Sequence, residues 1–342
     1  MKAMVLEKPR PVDQSPLTER ELNLPEPGEG EVRVKVNVCG VCRTDLHIVE
    51  GDLGTPKLPI VPGHQVVATV EATGKGVQKA KEGVRVGFPW MNSTCGSCAH
   101  CQSGRENLCE QARFTGLHRN GGYAEYAVVP EQFLYRIPEG FPDHQAAPLL
   151  CAGIIGYRTL KRSGVQRGER LGLYGFGASA HVTIQVTRHW GCEVYVFTRS
   201  KDHQSHAIEL GAKWAATAQD DPGVLMDACL IFAPVGWLMV EALKMTRKGG
   251  TVASAGIHMT PIPEFPYRRI YGERSLTTAA NATYDDGAEL LSLAGEIPIH
   301  TEVARYPLNQ ANQALQDLKE SRFRGSAVLD LSLYSEELPG TK

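Results

Sequence analysis

The stretch Gly172-Leu173-Tyr174-Gly175-Phe176-Gly177-Ala178-Ser179-Ala180 decides the architecture of the second half of this chain. Its core is G-x-G-x-x-A, placed between an apolar run and a segment with helical periodicity. In a strand–turn–helix setting Gly175 supports a tight turn, Gly177 lets backbone approach a pyrophosphate, and Ala180 lets the helix pack closely on the strand. The diphosphate would then lie over the helix N-terminus, where backbone N–H groups lack partners. Gly175, Phe176, Gly177 and Ala178 are therefore candidate cofactor-binding residues.

Working outward, residues 170–174, 193–198, 227–233 and 250–257 read as strands, with 275–280 as a last one. Residues 178–190, 203–210, 236–247 and about 285–293 read as helices. Alternating strands and helices predict a parallel, doubly wound sheet. The strand after the glycine turn should end at an adenosine ribose, where NAD enzymes usually carry Asp or Glu. This chain has Thr198, Arg199 and Ser200 there. No carboxylate repels a 2′-phosphate, and a guanidinium can clamp one. The charge pattern favours NADP(H) over NAD(H).

The first 150 residues have a different texture. Val32, Val34, Val36 and Val38 alternate with charged or polar residues, the period of a half-buried strand. Residues 66–70 and 124–129 are further strand candidates, and Pro-, Gly- and Asn-rich turns separate them. A compact, barrel-like β domain is expected here.

The charges nearly cancel, 36 Lys and Arg against 38 Asp and Glu. Such a chain has no broad field to draw in nucleic acid or an anionic membrane. No apolar run approaches membrane-spanning length, and charged and proline residues break the start before a signal core can form. The expectation is a cytoplasmic protein with neither nucleic-acid nor membrane partners.

The nine cysteines include a dense group, Cys95, Cys98, Cys101 and Cys109, spaced C-x2-C-x2-C-x7-C. Zinc takes four thiolates in a tetrahedron, and short C-x2-C turns aim successive thiolates at one centre. A site filled by four protein ligands leaves no room for substrate, so it would be structural. Four incidental thiols and an iron–sulfur cluster are the alternatives.

Three more residues stand in distinctive contexts. Cys42 lies in Cys39-Gly40-Val41-Cys42-Arg43-Thr44-Asp45-Leu46-His47, His64 follows Pro62-Gly63, and Cys151 lies in Leu150-Cys151-Ala152-Gly153. Their spacing does not group them. These runs, the four-cysteine lobe and the glycine turn occur in the same order in the zinc-dependent alcohol dehydrogenases, and the chain resembles a bacterial member of that medium-chain dehydrogenase/reductase family over nearly its whole length.

The resemblance implies an α/β protein with a GroES-like β-barrel catalytic domain and a Rossmann domain. It places the catalytic domain with its zinc lobe at 1–149, the dinucleotide-binding domain at 150–290, and a segment returning to the catalytic domain at 291–342. It implies that Cys42, His64 and Cys151 hold a catalytic zinc, a Cys2His set with an open fourth position, so two zinc ions are expected per chain. Thr44 would take the substrate proton and His47 release it to water near neutral pH. Asp45 would orient His64, Arg43 would touch the pyrophosphate, and Trp90 and Met91 would line the substrate pocket, with Leu117 and Ile257 as further candidates.

Two positions depart from the family pattern. Gln65 stands where a glutamate is common, and a neutral amide is a poorer metal ligand. Ile155 stands where relatives often place a hydrogen-bonding threonine. The implied activity is interconversion of small primary aliphatic or aromatic alcohols and aldehydes by hydride transfer. A zinc-independent quinone reductase-like enzyme and a non-catalytic, zinc-stabilised dinucleotide-binding protein are the competing readings. The family implies a homo-oligomer, and the short segment after Cys109 favours a tetramer over a dimer.

Overall fold

The computed structural model describes residues 1–54, 56–297 and 299–333. The chain forms two compact units. The described residues of 1–151, 287–295 and 302–333 make the first, and those of 152–286 and 296–301 make the second. Positions 334–342 of the expected C-terminal segment lie outside the described residues.

The first unit is built on a seven-stranded sheet. Its strands run in the order Val303–Tyr306, Ser326–Asp330, Glu31–Val41, Val66–Thr73, Arg85–Phe88 and Tyr135–Arg136, with Tyr126–Pro130 also paired to Glu31–Val41. All pairings are antiparallel except the first. The alternating valines explain the central strand: Val32, Val34 and Val36 are buried while Lys35 is exposed. Val34 sits opposite Val70 and Val36 opposite Ala68. Each buried valine contributes about 1.5–3 kcal/mol over an exposed one.

A register shift between Val36 and Val38 ends that alternation. Beyond it Val38, Cys39, Gly40 and Val41 are all buried, because the bulge bends the strand inward. The chain then leaves the sheet at Cys42 and enters the helix Arg43–Glu50.

The second unit carries a six-stranded parallel sheet in the order Trp214–Ala216, Glu193–Phe197, Arg170–Tyr174, Met226–Ile231, Thr246–Ser254 and Ser275–Thr278. The strand that comes first in the chain lies in the middle, so the order reverses beside it. That reversal is where doubly wound sheets take ligands.

Three features differ from the sequence expectation. The edge strand Trp214–Ala216 was not foreseen, because three residues carry no readable period. The helix Trp237–Met245 stops short of 247 and the next strand begins at Thr246, not 250. The Thr246 hydroxyl donates to the Ala242 carbonyl at 2.7 Å, closing the helix while its backbone pairs with Met226. Residues 287–295, within the helix Tyr284–Glu296, belong to the first unit. Gly287 rests on Tyr135 so closely that a Cβ there would lie 2.4 Å from the phenol oxygen. Among the described residues no helix is long and apolar enough to cross a membrane.

Candidate active site

Cys42 is the N-cap of the helix Arg43–Glu50. Its thiol accepts from the Thr44 N–H at 3.5 Å, and its own N–H donates to Asp45 Oδ2 at 3.0 Å. This reciprocal cap satisfies orphan donors of the first turn. The other Asp45 oxygen, Oδ1, accepts from the Gly63 N–H at 3.1 Å and from His64 Nδ1 at 2.9 Å. One buried carboxylate thus ties the helix start to the His64 loop. A carboxylate only accepts, so Nδ1 carries a proton, and Nε2 is the nitrogen left to bind a cation, whether a proton or a metal.

His64 is fully buried, yet its Nε2 has no hydrogen-bond partner. A buried polar atom without a partner is costly and points to a ligand. The Cys42 and Cys151 thiols lie 4.0 Å apart. The donor atoms of Cys42, His64 and Cys151 all fall within 4.8 Å of one another, and no fourth Cys, His, Asp or Glu joins them among the described residues.

The electrostatics of the cluster favour a cation. Burial pulls the His64 imidazole down, but the Asp45 carboxylate and the Cys42 thiol outweigh it and hold it at about 10. The hydrogen bond from Cys151 holds the Cys42 thiol well below its usual range against desolvation, and the same pairing pushes Cys151 up. Positive charge is therefore stabilised where the three donor atoms converge.

The lobe cysteines also converge. Sulfur–sulfur separations are 3.9 Å for Cys95–Cys101, 3.5 Å for Cys98–Cys101 and 3.6 Å for Cys109–Cys95. Four thiolates about 2.3 Å from a tetrahedral zinc would stand about 3.8 Å apart. Backbone N–H groups of Ser97 and Cys98 hold the Cys95 thiol down at about 6. The C-x2-C turn after Cys95 supplies those donors.

Thr44 and His47 lie three residues apart on the same helix, a spacing that puts both on one face. Arg43 is exposed at the first helical position. Gln65 is buried, with its side chain over Gly40, where a Cβ would come within 2.9 Å of its amide. Trp90 stands edge-on to His64 at 5.0 Å and stacks on Phe114 at 4.8 Å. Phe114 stands 5.5 Å from His118, and no periodic signal marked either residue in advance. Met91 does not join Trp90. It opens the short strand Met91–Ser93 and is buried in the lobe's own small core with Cys109, Ala112 and Phe133. Leu117 is buried in the main core of the first unit, and Ile257 is exposed in the second.

In the second unit Gly175 has φ +89°, and a Cβ there would meet the Ala233 backbone nitrogen at 2.9 Å. Only glycine fits that turn without strain. Gly177 is different: it is the N-cap of the helix Ala178–His189, and a Cβ there would meet nothing within 4 Å. Packing does not require a glycine at 177, and the helix start has no side-chain cap. Open space over unpaired N–H groups is a ready place for an anion. Ala180 is fully buried. Thr198 follows the strand Glu193–Phe197, Arg199 is exposed, and Ser200 caps the helix Lys201–Glu209 by accepting from the His203 N–H at 3.3 Å. Ile155 lies in the first turn of the helix Ala152–Ser163.

A sheet unit bearing a Cys–His–Cys cluster and a four-cysteine lobe, together with a doubly wound unit bearing a glycine-rich turn, defines a two-unit dehydrogenase. Residues 28–139 match the alcohol dehydrogenase GroES-like domain, and residues 180–296 match the zinc-binding dehydrogenase domain. A probable alcohol dehydrogenase of Mycobacterium tuberculosis is 44% identical, the match covering 96% of this chain and 97% of that one. An alcohol dehydrogenase of Geobacillus stearothermophilus is 33% identical, covering 96% and 99%. A solved cinnamyl alcohol dehydrogenase of Sorghum bicolor superposes with a TM-score of 0.89 at 27% identity, covering 98% and 99%. The chain belongs to the zinc-type alcohol dehydrogenases of the medium-chain dehydrogenase/reductase family.

Proposed function

We propose that this enzyme interconverts small primary alcohols and aldehydes by hydride transfer, with NADP(H) preferred over NAD(H). One zinc would be held by Cys42, His64 and Cys151, and a second by Cys95, Cys98, Cys101 and Cys109. The observation that carries the reading is the buried His64 Nε2, which faces two thiols and has no protein partner.

Bound there, zinc supplies a Lewis acid that makes an alcohol hydroxyl acidic near neutral pH. A nicotinamide dinucleotide held along Gly175–Ala180 supplies the hydride acceptor or donor. The chain's own residues do the rest. Two thiolates offset the metal's charge, and Asp45 keeps the His64 lone pair directed at it. The Thr44 hydroxyl accepts the substrate proton, and His47 holds it at a ring nitrogen and releases it to water. Trp90, backed by Phe114, forms an apolar wall beside His64 that suits an aliphatic or aromatic substituent. With Gln65 neutral, that side chain contributes no carboxylate to the metal.

The test is a steady-state comparison of NADPH and NADH with benzaldehyde and acetaldehyde, with metal measured on the same sample. About two zinc ions per chain and a larger kcat/KM with NADPH are expected, the first from the two ligand sets. Turnover that survives selective removal of the cluster metal would favour a quinone reductase-like enzyme instead.

Arg199→Ala isolates the phosphate reading. Losing a charge-assisted contact should raise KM for NADPH about tenfold and leave KM for NADH unchanged. Equal effects on both cofactors would remove Arg199 from 2′-phosphate recognition.

A further inference from the structure

The glycine turn of the second unit rests on a buried pair of imidazoles that the chemistry above does not use. Phe176, between Gly175 and Gly177, is buried, and its ring stands edge-on to His206 with centroids 5.8 Å apart. His206 lies in the helix Lys201–Glu209, and His181 lies in the helix Ala178–His189 that starts at the turn. Both histidines are buried, and His181 Nδ1 lies 2.8 Å from His206 Nε2 with the ring planes 10° apart. His181 Nε2 donates to the His300 carbonyl at 2.9 Å. Gln185 holds the same residue twice, its Nε2 donating to the carbonyl and its Oε1 accepting from the N–H, each at 2.9 Å. All of these residues belong to the second unit.

A carbonyl only accepts, so His181 Nε2 carries a proton, and a neutral His181 presents Nδ1 as an acceptor. His206 Nε2 is then the donor. That holds whether or not His206 Nδ1, which stands 3.5 Å from Glu209 Oε2, is protonated as well. The hydrogen bonds run one way, from His206 to His181 to the His300 backbone. Burying two imidazoles is costly unless they are partnered, and apolar side chains would fill the space without any directional bond. The donor–acceptor chain fixes the angle of the His206 ring, and Phe176 packs on that ring. Gln204 on the same helix is buried too, and its Nε2 donates to the Thr198 carbonyl at 2.8 Å. One helix thus holds the residue after the second strand and, through His206, the glycine turn.

We propose that His206 and His181 are positioning residues for the dinucleotide: their hydrogen bond holds Phe176, and with it the Gly175–Gly177 backbone, in the shape that receives the pyrophosphate. The proposal rests on the reading of Gly175–Ala180 as the cofactor turn. A pyrophosphate is common to NADPH and NADH, so the pair acts on both alike, whereas Arg199 acts on NADPH alone. Cys42, His64 and Cys151 lie in the first unit, so metal content is unaffected.

The experiment titrates zinc-loaded full-length enzyme with NADPH and with NADH by cofactor fluorescence. Wild type is compared with His206→Leu, His206→Gln, Phe176→Leu, the Phe176→Leu/His206→Leu double variant and Arg199→Ala. Zinc content, Tm and kcat at saturating cofactor are measured on the same samples. His206→Leu takes the donor away from His181 Nδ1 and should raise Kd for both cofactors about tenfold, with kcat within about twofold. His206→Gln keeps a side-chain N–H and should recover most of the affinity. Because the ring acts through Phe176, the double variant should bind no more weakly than Phe176→Leu alone.

An unchanged Kd in His206→Leu, even with a lowered Tm, assigns the pair a purely structural role and overturns the proposal while leaving the cofactor turn standing. A rise for NADPH alone, a rise that His206→Gln does not reverse, or additive losses in the double variant also overturn it. Wild-type enzyme that binds neither cofactor overturns the turn assignment and this proposal with it. Should His206→Leu not fold, His181→Gln takes its place. That variant keeps a donor for the His300 carbonyl but loses the Nδ1 acceptor, so the same rise in Kd is expected, and an unchanged Kd overturns the proposal.

Discussion

Cys151→Ala is expected to lower turnover at least about a thousandfold while leaving the protein folded. The metal's charge stabilisation in such sites is worth several kcal/mol, and about 4 kcal/mol is a thousandfold in rate. Cys151 is one of only three donors that converge at the cluster among the described residues. Two remaining ligands hold zinc poorly, so zinc content should fall from about two per chain to about one. The side chain is small, and its loss leaves the caps around Asp45 untouched. Circular dichroism and Tm should change little. A variant that keeps full activity, or one that keeps both metal ions, would defeat the assignment of Cys151 as a ligand.

Gly63→Ala is expected to destabilise the first unit and release the cluster metal together. Gly63 has φ +97°, and a Cβ would stand 2.4 Å from a ring carbon of Tyr123 and 2.8 Å from the Cys39 sulfur. Both neighbours are fully buried and neither has room to give. Left-handed backbone costs an alanine about 1–2 kcal/mol, and overpacking a rigid core adds about 1–3 kcal/mol. The sum of about 2–5 kcal/mol should lower Tm by about 10 °C in a unit of this size. The backbone cannot relax without moving its neighbour, because the Gly63 N–H donates to the same Asp45 oxygen that holds His64. Zinc affinity should therefore fall with stability. A Gly63→Ala protein with wild-type Tm and metal content would show that the glycine is incidental.

The contrast between two glycines shows how much of the site was legible beforehand. Gly175 and Gly177 belong to one local pattern, and their different reasons for being glycine follow from a strand–turn–helix that the surrounding apolar periodicity announces. Gly63 belongs to no such pattern. Its need for a missing side chain comes from Tyr123 and Cys39, which no local spacing links to it. Met91 makes the same point in reverse. Its neighbour Trp90 stands edge-on to His64, but Met91 is buried in the lobe core.

The amino-acid sequence by itself determined much that works at short range: the glycine turn, the four thiols of the lobe and the periods of two kinds of sheet. These depend on contacts within a few residues, where chain geometry leaves little choice. Only the tertiary structure decided that Cys42, His64 and Cys151 share one point with no fourth protein donor among the described residues. Three separate elements of the first unit must arrive together for that, and the order in which they pack is settled by buried surface and by one shared carboxylate rather than by any spacing along the chain.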